Sequence, residues 1–307
     1  LPSMSNIMTT QEYSHYSTRG STDLTIGPDG KKIKSSTKTG LETDYILQYN
    51  YGEGELLSTI IPNARGERGD VFGNDEILME NISEEYQDDP FFSNMNRYWG
   101  GQAMSGGAFY FGVVIFVLFV LAVVFLNDSI KWPVLALIIL AMSLASNDPG
   151  GINDLFIHKF PMYNKFRDSK MILVIIQIVF PMMAILFLDK LVKKPLFDND
   201  RLKKRFYITS GLIITFFAIL YISPSLSGDF RNSEKDNQWF ERLNQQSKGE
   251  FQQSYMNKSE KFNSFKSEIS SAREYLFKKD VGRAFLFSVL ILGLVYFTAL
   301  KKPSIWL

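Results

Sequence analysis

Five apolar runs govern what this chain can become: residues 109–126, 132–145, 171–188, 206–222 and 284–300. A helix rises about 1.5 Å per residue, so roughly 20 apolar residues cross a hydrocarbon core of about 30 Å. Four runs approach that length once their flanks are counted. The second does so only with Trp132 and Ser146 near the interfaces. The pattern predicts an all-α membrane protein of about five transmembrane helices, with its chemistry in the loops between them.

A mean hydropathy near zero conceals this pattern, because very apolar and very polar blocks alternate. The 33 Lys plus Arg nearly balance the 32 Asp plus Glu, which argues against a nucleic-acid partner. With no cysteine, disulfides, zinc–thiolate sites and a cysteine nucleophile are excluded. The chain opens Leu1-Pro2 in polar sequence, without a basic-then-apolar leader pattern. The expectation is a portion of a longer protein with earlier spans.

Loop charge orients the runs. The loop 189–205 carries Lys190, Lys193, Lys194, Arg201, Lys203, Lys204 and Arg205, the tail 301–307 opens with Lys301-Lys302, and Lys131 precedes the second run. The positive-inside rule assigns these to the cytoplasm. Segments 1–108, 146–170 and 223–283 are then extracytoplasmic. They alternate with spans 109–145 (two helices), 171–222 (two helices around loop 189–205) and 284–300.

Within the polar segments, 6–16 suits a short surface helix with Tyr13 and Tyr16 as interfacial aromatics, and 53–61 a helix stopped by Pro62. Residues 64–90 suggest loop with at most one helical stretch. Pro181 should kink the third run. Phe262, Phe265, Ile269, Ala272 and Leu276 share one helical face, and Gly249 is placed to turn a hairpin. Packing against other loops is the favoured reading of that face, ahead of a lipid-facing surface helix.

Loop 147–170 is the most suggestive chemically. Lys165, Arg167 and Lys170 gather where the third run begins. A helix N-terminus, a guanidinium and ammonium groups together suit a phosphate at membrane depth. The plainer reading is contact with ordinary head groups. His158 is of the residue type that most often serves as a general acid or base, but a lone loop histidine is more often structural. Asp148 and Asp154 are able to ligate a divalent cation or serve as a base, although their Gly- and Asn-rich setting favours turns. Glu80, Glu84, Glu85, Asp88 and Asp89 lack a calcium-loop spacing and suit a solvated face. Asn81-Ile82-Ser83 fits the short glycosylation acceptor pattern. No Walker, dinucleotide, zinc or serine-hydrolase motif is present.

Several stretches, in order, resemble the central part of YfhO-family bacterial membrane proteins. They are Tyr13-Ser14-His15-Tyr16-Ser17-Thr18-Arg19-Gly20, then Tyr51-Gly52-Glu53-Gly54-Glu55 with Ile61-Pro62-Asn63, then Tyr98-Trp99-Gly100. The most specific is Phe160-Pro161-Met162-Tyr163-Asn164-Lys165-Phe166-Arg167 followed by Ser169-Lys170-Met171-Ile172-Leu173-Val174, and Arg273, Asp280 and Arg283 also fit. The resemblance implies part of a larger GT-C-type fold in the bacterial cytoplasmic membrane. It also implies transfer of sugar from a polyprenyl-phosphate donor to an envelope acceptor, with membrane lipids and other envelope proteins as partners. Arg167 and Lys165, with Lys170 and Arg19, are its lipid-phosphate candidates, and Tyr13, Tyr16 and Trp99 its candidates for stacking on sugar, although anchoring at the membrane interface explains these aromatics as well or better. No catalytic acid carries over, and Gly100-Gly101-Gln102 stands where family members often have Gly-Asp-Gln. A non-catalytic scaffold or accessory subunit is therefore the alternative. A flippase is disfavoured because the runs carry almost no ionisable groups.

Overall fold

A computed structural model describes residues 3–14, 16–17, 26, 40–67, 69–102, 106, 109–148, 151–193, 196–197 and 199–300. Among them there are helices and no strand, with isolated bridges such as Tyr51 to Ser146 and Val71 to Asn96.

Helix α1 (Met4–Ser14) matches the short helix expected near 6–16. Helix α2 (Thr43–Leu47) buries Ile46 and Leu47. Residues 53–61 do not form the expected α-helix; only a 3-10 turn, Glu55–Thr59, is present. Gly54 enters it at φ 68, and the Ser58 and Thr59 hydroxyls bond back to Glu55 O (2.6 Å) and Leu56 O (2.7 Å). Such local bonds offer the backbone an alternative to the α ladder. Residues 64–90 hold more helix than expected: α3 (Glu76–Glu80), α4 (Glu84–Gln87), and the start of α5 (Pro90–Ser93). Part of the acidic character is capping. Asp75 accepts the Leu78 N–H at 3.0 Å, and Asp89 accepts those of Phe91 and Phe92 ahead of Pro90.

The first two apolar runs give α6 (Val113–Phe125) and α7 (Lys131–Ala145), of 13 and 15 residues. These are about 20 and 23 Å long, short of a hydrocarbon core. Gly112, at φ 94, breaks the first run before α6 begins. At the other end of α6, Lys131 Nζ bonds Leu126 O (3.1 Å) and Lys190 Nζ bonds Phe125 O, placing two cations on its last carbonyls. The short helix α8 (Ile152–Lys159) leads to the turn Ser169–Ile172 and α9 (Leu173–Lys193). Helix α9 continues unbroken through Pro181. Then come α10 (Asp200–Ile222), α11 (Ser233–Gln246) and α12 (Ser259–Leu300). Among the described residues, the stretch Ser169–Lys193, α10 and α12 are three helices long and apolar enough to cross a membrane.

Helix α6 lies along α9, and α10 along α12. The rings of Phe119 and Phe180 stack at 4.3 Å in the core between them. Helix α12 has 42 residues, about 63 Å, more than twice the hydrocarbon thickness. Its first half therefore projects out of the apolar layer. There Phe265, Ile269, Ala272 and Leu276 are buried with Phe72, Phe92, Phe240 and Phe251 in a second core. Packing, not lipid, covers that face. The hairpin turns at Lys248 (φ 53) and Gly249 (φ 90), as the glycine suggested.

Candidate functional site

The last carbonyls of a helix have no partners within it. At the end of α7 two buried asparagines supply them. Asn153 Nδ2 donates to Leu144 O and Ser146 O, both at 2.7 Å, and Asn50 Nδ2 to Leu144 O at 3.0 Å. The backbone of Tyr51 adds two more bonds, to Ala145 O (2.9 Å) and from Asn147 N (2.7 Å). The Tyr163 hydroxyl donates to Asn153 Oδ1 at 3.0 Å, and the Ser169 hydroxyl to Asn50 Oδ1 at 3.0 Å. Burial pushes the Tyr163 phenol above its ordinary pKa. The basic loop 160–170 is thus tied at both ends to the terminus of α7.

Beside it lies a buried polar centre built on Glu55, 2% exposed. Gly52 and Gly101 approach backbone to backbone: a Cβ on Gly52 would come 3.0 Å from Gly101 Cα. That closeness lets both amides reach Glu55 Oε2, at 2.7 and 3.2 Å. Oε1 accepts from the Tyr98 hydroxyl (2.5 Å) and Gln102 Nε2 (2.8 Å). The oxygen of the Gln102 amide takes the Lys170 ammonium. Gln102 therefore relays between cation and carboxylate, and those charges orient its amide. Lys170 also lies over the Tyr51 ring at 6.0 Å. Next to this centre Arg65 is buried, its guanidinium bonded to Glu53 O, Ala64 O and Ser227 O. Burial lowers its pKa, and the Glu55 and Glu53 charges oppose that shift.

The predicted site residues scatter around this frame. Arg167 is exposed; it donates to the Tyr45 hydroxyl at 2.8 Å and lies over the rings of Tyr45 and Tyr49 at 5.9 and 5.3 Å. Lys165 is half-buried in the turn Tyr163–Lys165. Lys170 is buried and donates to Gln102 Oε1. His158 Nδ1 lies 3.2 Å from Asp154 Oδ1, an exposed pair one turn apart on α8. Asp148 forms the turn before α8, accepting the Gly151 N–H at 3.2 Å. Asp148 thus stands in a turn through its backbone, whereas Asp154 lies in the first turn of α8. Among the described residues no group of three or more His, Cys, Asp or Glu is placed to hold a metal ion. Tyr13 and Tyr16 are 67% and 88% exposed. Trp99 is buried, packed against Phe230 (5.8 Å) and the Arg273 guanidinium (5.5 Å), and is open neither to sugar nor to the interface. Arg19 and His15 lie outside the described residues.

Ion pairs join this region to the second core. Arg273 holds Asp236 at 2.7 Å, and Arg97 pairs with Asp70 and with Asp75 (2.8 Å). Burial alone would raise the Asp70 carboxyl, but the Asn74 amide and Arg97 overcome it and hold it below the usual range. Asp75 behaves likewise: burial is outweighed by the Leu78 N–H, Lys279 and Arg97. Asp280, also buried, accepts Asn63 N (3.1 Å) and Nδ2 (2.6 Å). Two polar cavities of about 460 and 440 Å³ share Arg231; the first is lined by Asp229 and Glu274, the second by Asn237 and Asn263.

Fold and site together define an all-helical protein with three helices able to cross a membrane and a polar, ion-paired helical portion continuous with one of them. No protein-family model matches the chain, and no curated protein or solved structure was found similar to it.

Proposed function

We propose that this chain is part of a membrane glycosyltransferase of the YfhO type. It would move sugar from a polyprenyl-phosphate donor to an envelope acceptor on the outer face of a bacterial cytoplasmic membrane. In this reading α6 and α7 complete the crossing with their flanks, giving five spans, and the basic loop 189–205 faces the cytoplasm. The acceptor oxygen bonds to the anomeric carbon as the bond from that carbon to the phosphate oxygen breaks. The lipid phosphate leaves with the electron pair, and the acceptor proton passes to a base.

The observation that carries the phosphate half is Arg167. Its guanidinium is held in place by Tyr45 and Tyr49 yet stays exposed, close to the first turn of a membrane-length helix. A preoriented guanidinium with Lys165 nearby stabilises negative charge developing on a phosphate oxygen. Sugar transfer itself rests on the family resemblance.

A specific feature favours the second reading, a non-catalytic scaffold. Glu55, the buried carboxylate that Gln102 links to Lys170, already accepts four hydrogen bonds, from Gly52 N, Gly101 N, the Tyr98 hydroxyl and Gln102 Nε2. Gly101 moreover carries no acid.

The test is binding of a short-chain polyprenyl phosphate to the protein in lipid nanodiscs, followed by turnover of its labelled sugar ester. Arg167→Ala should weaken binding about tenfold or more, with expression and thermal stability kept. Unchanged affinity would remove Arg167 from the site. Tight binding without any transfer would select the scaffold.

A further inference from the structure

Helix α8 has three faces. Asn153 is bonded to the α7 carbonyls, and Ile157 is buried with Ile46 and Leu47. Asp154 and His158 form a polar side. The remaining face carries Ile152 and Leu155, 40% and 58% exposed, and past the end of α8 Phe160 and Phe166 are 56% and 52% exposed. The anchored face prevents α8 from rolling these side chains inward. Phe160 is further fixed by stacking on Phe156 at 5.1 Å.

Position says what covers this face. Helix α8 sits across the end of α7 and directly precedes Ser169–Lys193, whose outward residues Met171, Val174 and Ile178 are also exposed. Exposed apolar side chains thus stand both on α8, which packs on α7, and at the start of a membrane-length helix. Lys159, Lys165 and Arg167 are interspersed with these aromatic and aliphatic groups. Apolar side chains with basic residues at a helix end is the composition of a helix lying in a bilayer interface.

We propose that α8 is a membrane-seated helix. Ile152, Leu155, Phe160 and Phe166 enter the acyl layer of one leaflet, and Lys159 meets the phosphates of its head groups. The proposal needs the membrane but not sugar transfer.

The absence of cysteine makes the test clean. Leu155→Cys and Phe160→Cys, each labelled with an environment-sensitive bimane, are placed in phosphatidylcholine–phosphatidylglycerol vesicles with brominated acyl chains. Ile178→Cys marks lipid contact, and Glu241→Cys on exposed α11 marks water. Both α8 probes should be quenched by bromine like the Ile178 probe and resist aqueous iodide. Quenching by iodide like the Glu241 probe would overturn the proposal. So would protection from both quenchers, since another protein segment would then cover the face. Bound donor and enzymatic turnover play no part in the readout.

Discussion

Replacing Glu55 by alanine tests the buried polar centre most directly. Four hydrogen bonds converge on this carboxylate, from Gly52 N, Gly101 N, the Tyr98 hydroxyl and Gln102 Nε2. Gly101 is exposed and can turn to water, whereas Gly52 is half-buried and Tyr98 and Gln102 are buried. Each stranded buried donor costs about 1–3 kcal/mol, so three cost roughly 4–6 kcal/mol once some relaxation is allowed. Lys170 loses its relayed counter-charge at the same time. Glu55→Gln keeps the volume but puts an amide nitrogen in place of one oxygen, so two of the four donors lose their acceptor. About 2–3 kcal/mol follows. For a domain of this size 1 kcal/mol shifts Tm by roughly 2–4 °C. Thermal unfolding in detergent at one fixed scan rate, followed by tryptophan fluorescence, should therefore rank wild type above Glu55→Gln above Glu55→Ala. The alanine variant should lie about 10 °C or more below wild type. A loss under about 1 kcal/mol for Glu55→Ala, or glutamine worse than alanine, would refute the assignment of those four bonds.

Gly54→Ala should cost about 3 kcal/mol or more, since φ 68 disfavours a Cβ and that Cβ would meet Arg65 Nη2 at 2.1 Å. Gly249→Ala, also at positive φ but with nothing within 4 Å, should cost only about 1–2 kcal/mol; equal losses in the same thermal assay would show that Arg65 does not crowd Gly54. Acid should loosen the second core through Asp70 and Asp75. Their folded pKa values are depressed, so the stability they contribute is present above the unfolded carboxylate value of about 4 and is lost as pH falls below it through the folded values. The double variant Asp70→Asn/Asp75→Asn should be less stable at neutral pH and flatter between about pH 4 and 2; an unchanged acid limb would place the titration elsewhere.

The membrane-length helices at 171–188, 206–222 and 284–300 were legible because an unbroken apolar run needs no partner to declare itself. So was the buried face from Phe265 to Leu276, whose period of three and four survives any context. The lengths of α6 and α7 were not. Their runs reached span length only with flanks, and only the backbone at Gly112 and the lysine caps at Leu126 and Phe125 show where α6 begins and ends. Trp99 was misplaced for a related reason. Tryptophan before a span commonly sits at the interface, but Phe230 and Arg273, far along the chain, enclose this one.

Local composition and periodicity determined on their own that this chain is helical, which stretches are apolar enough for lipid, and where basic residues collect. Both signals are carried by neighbours within a turn or two. Which charges are buried was decided only by tertiary structure. Glu55, Gln102 and Lys170 come from three separate segments, and no local pattern records that two glycine-bearing loops close around a carboxylate while Arg167, three residues from Lys170, stays outside. Burial and pairing are properties of what the rest of the chain brings to a residue.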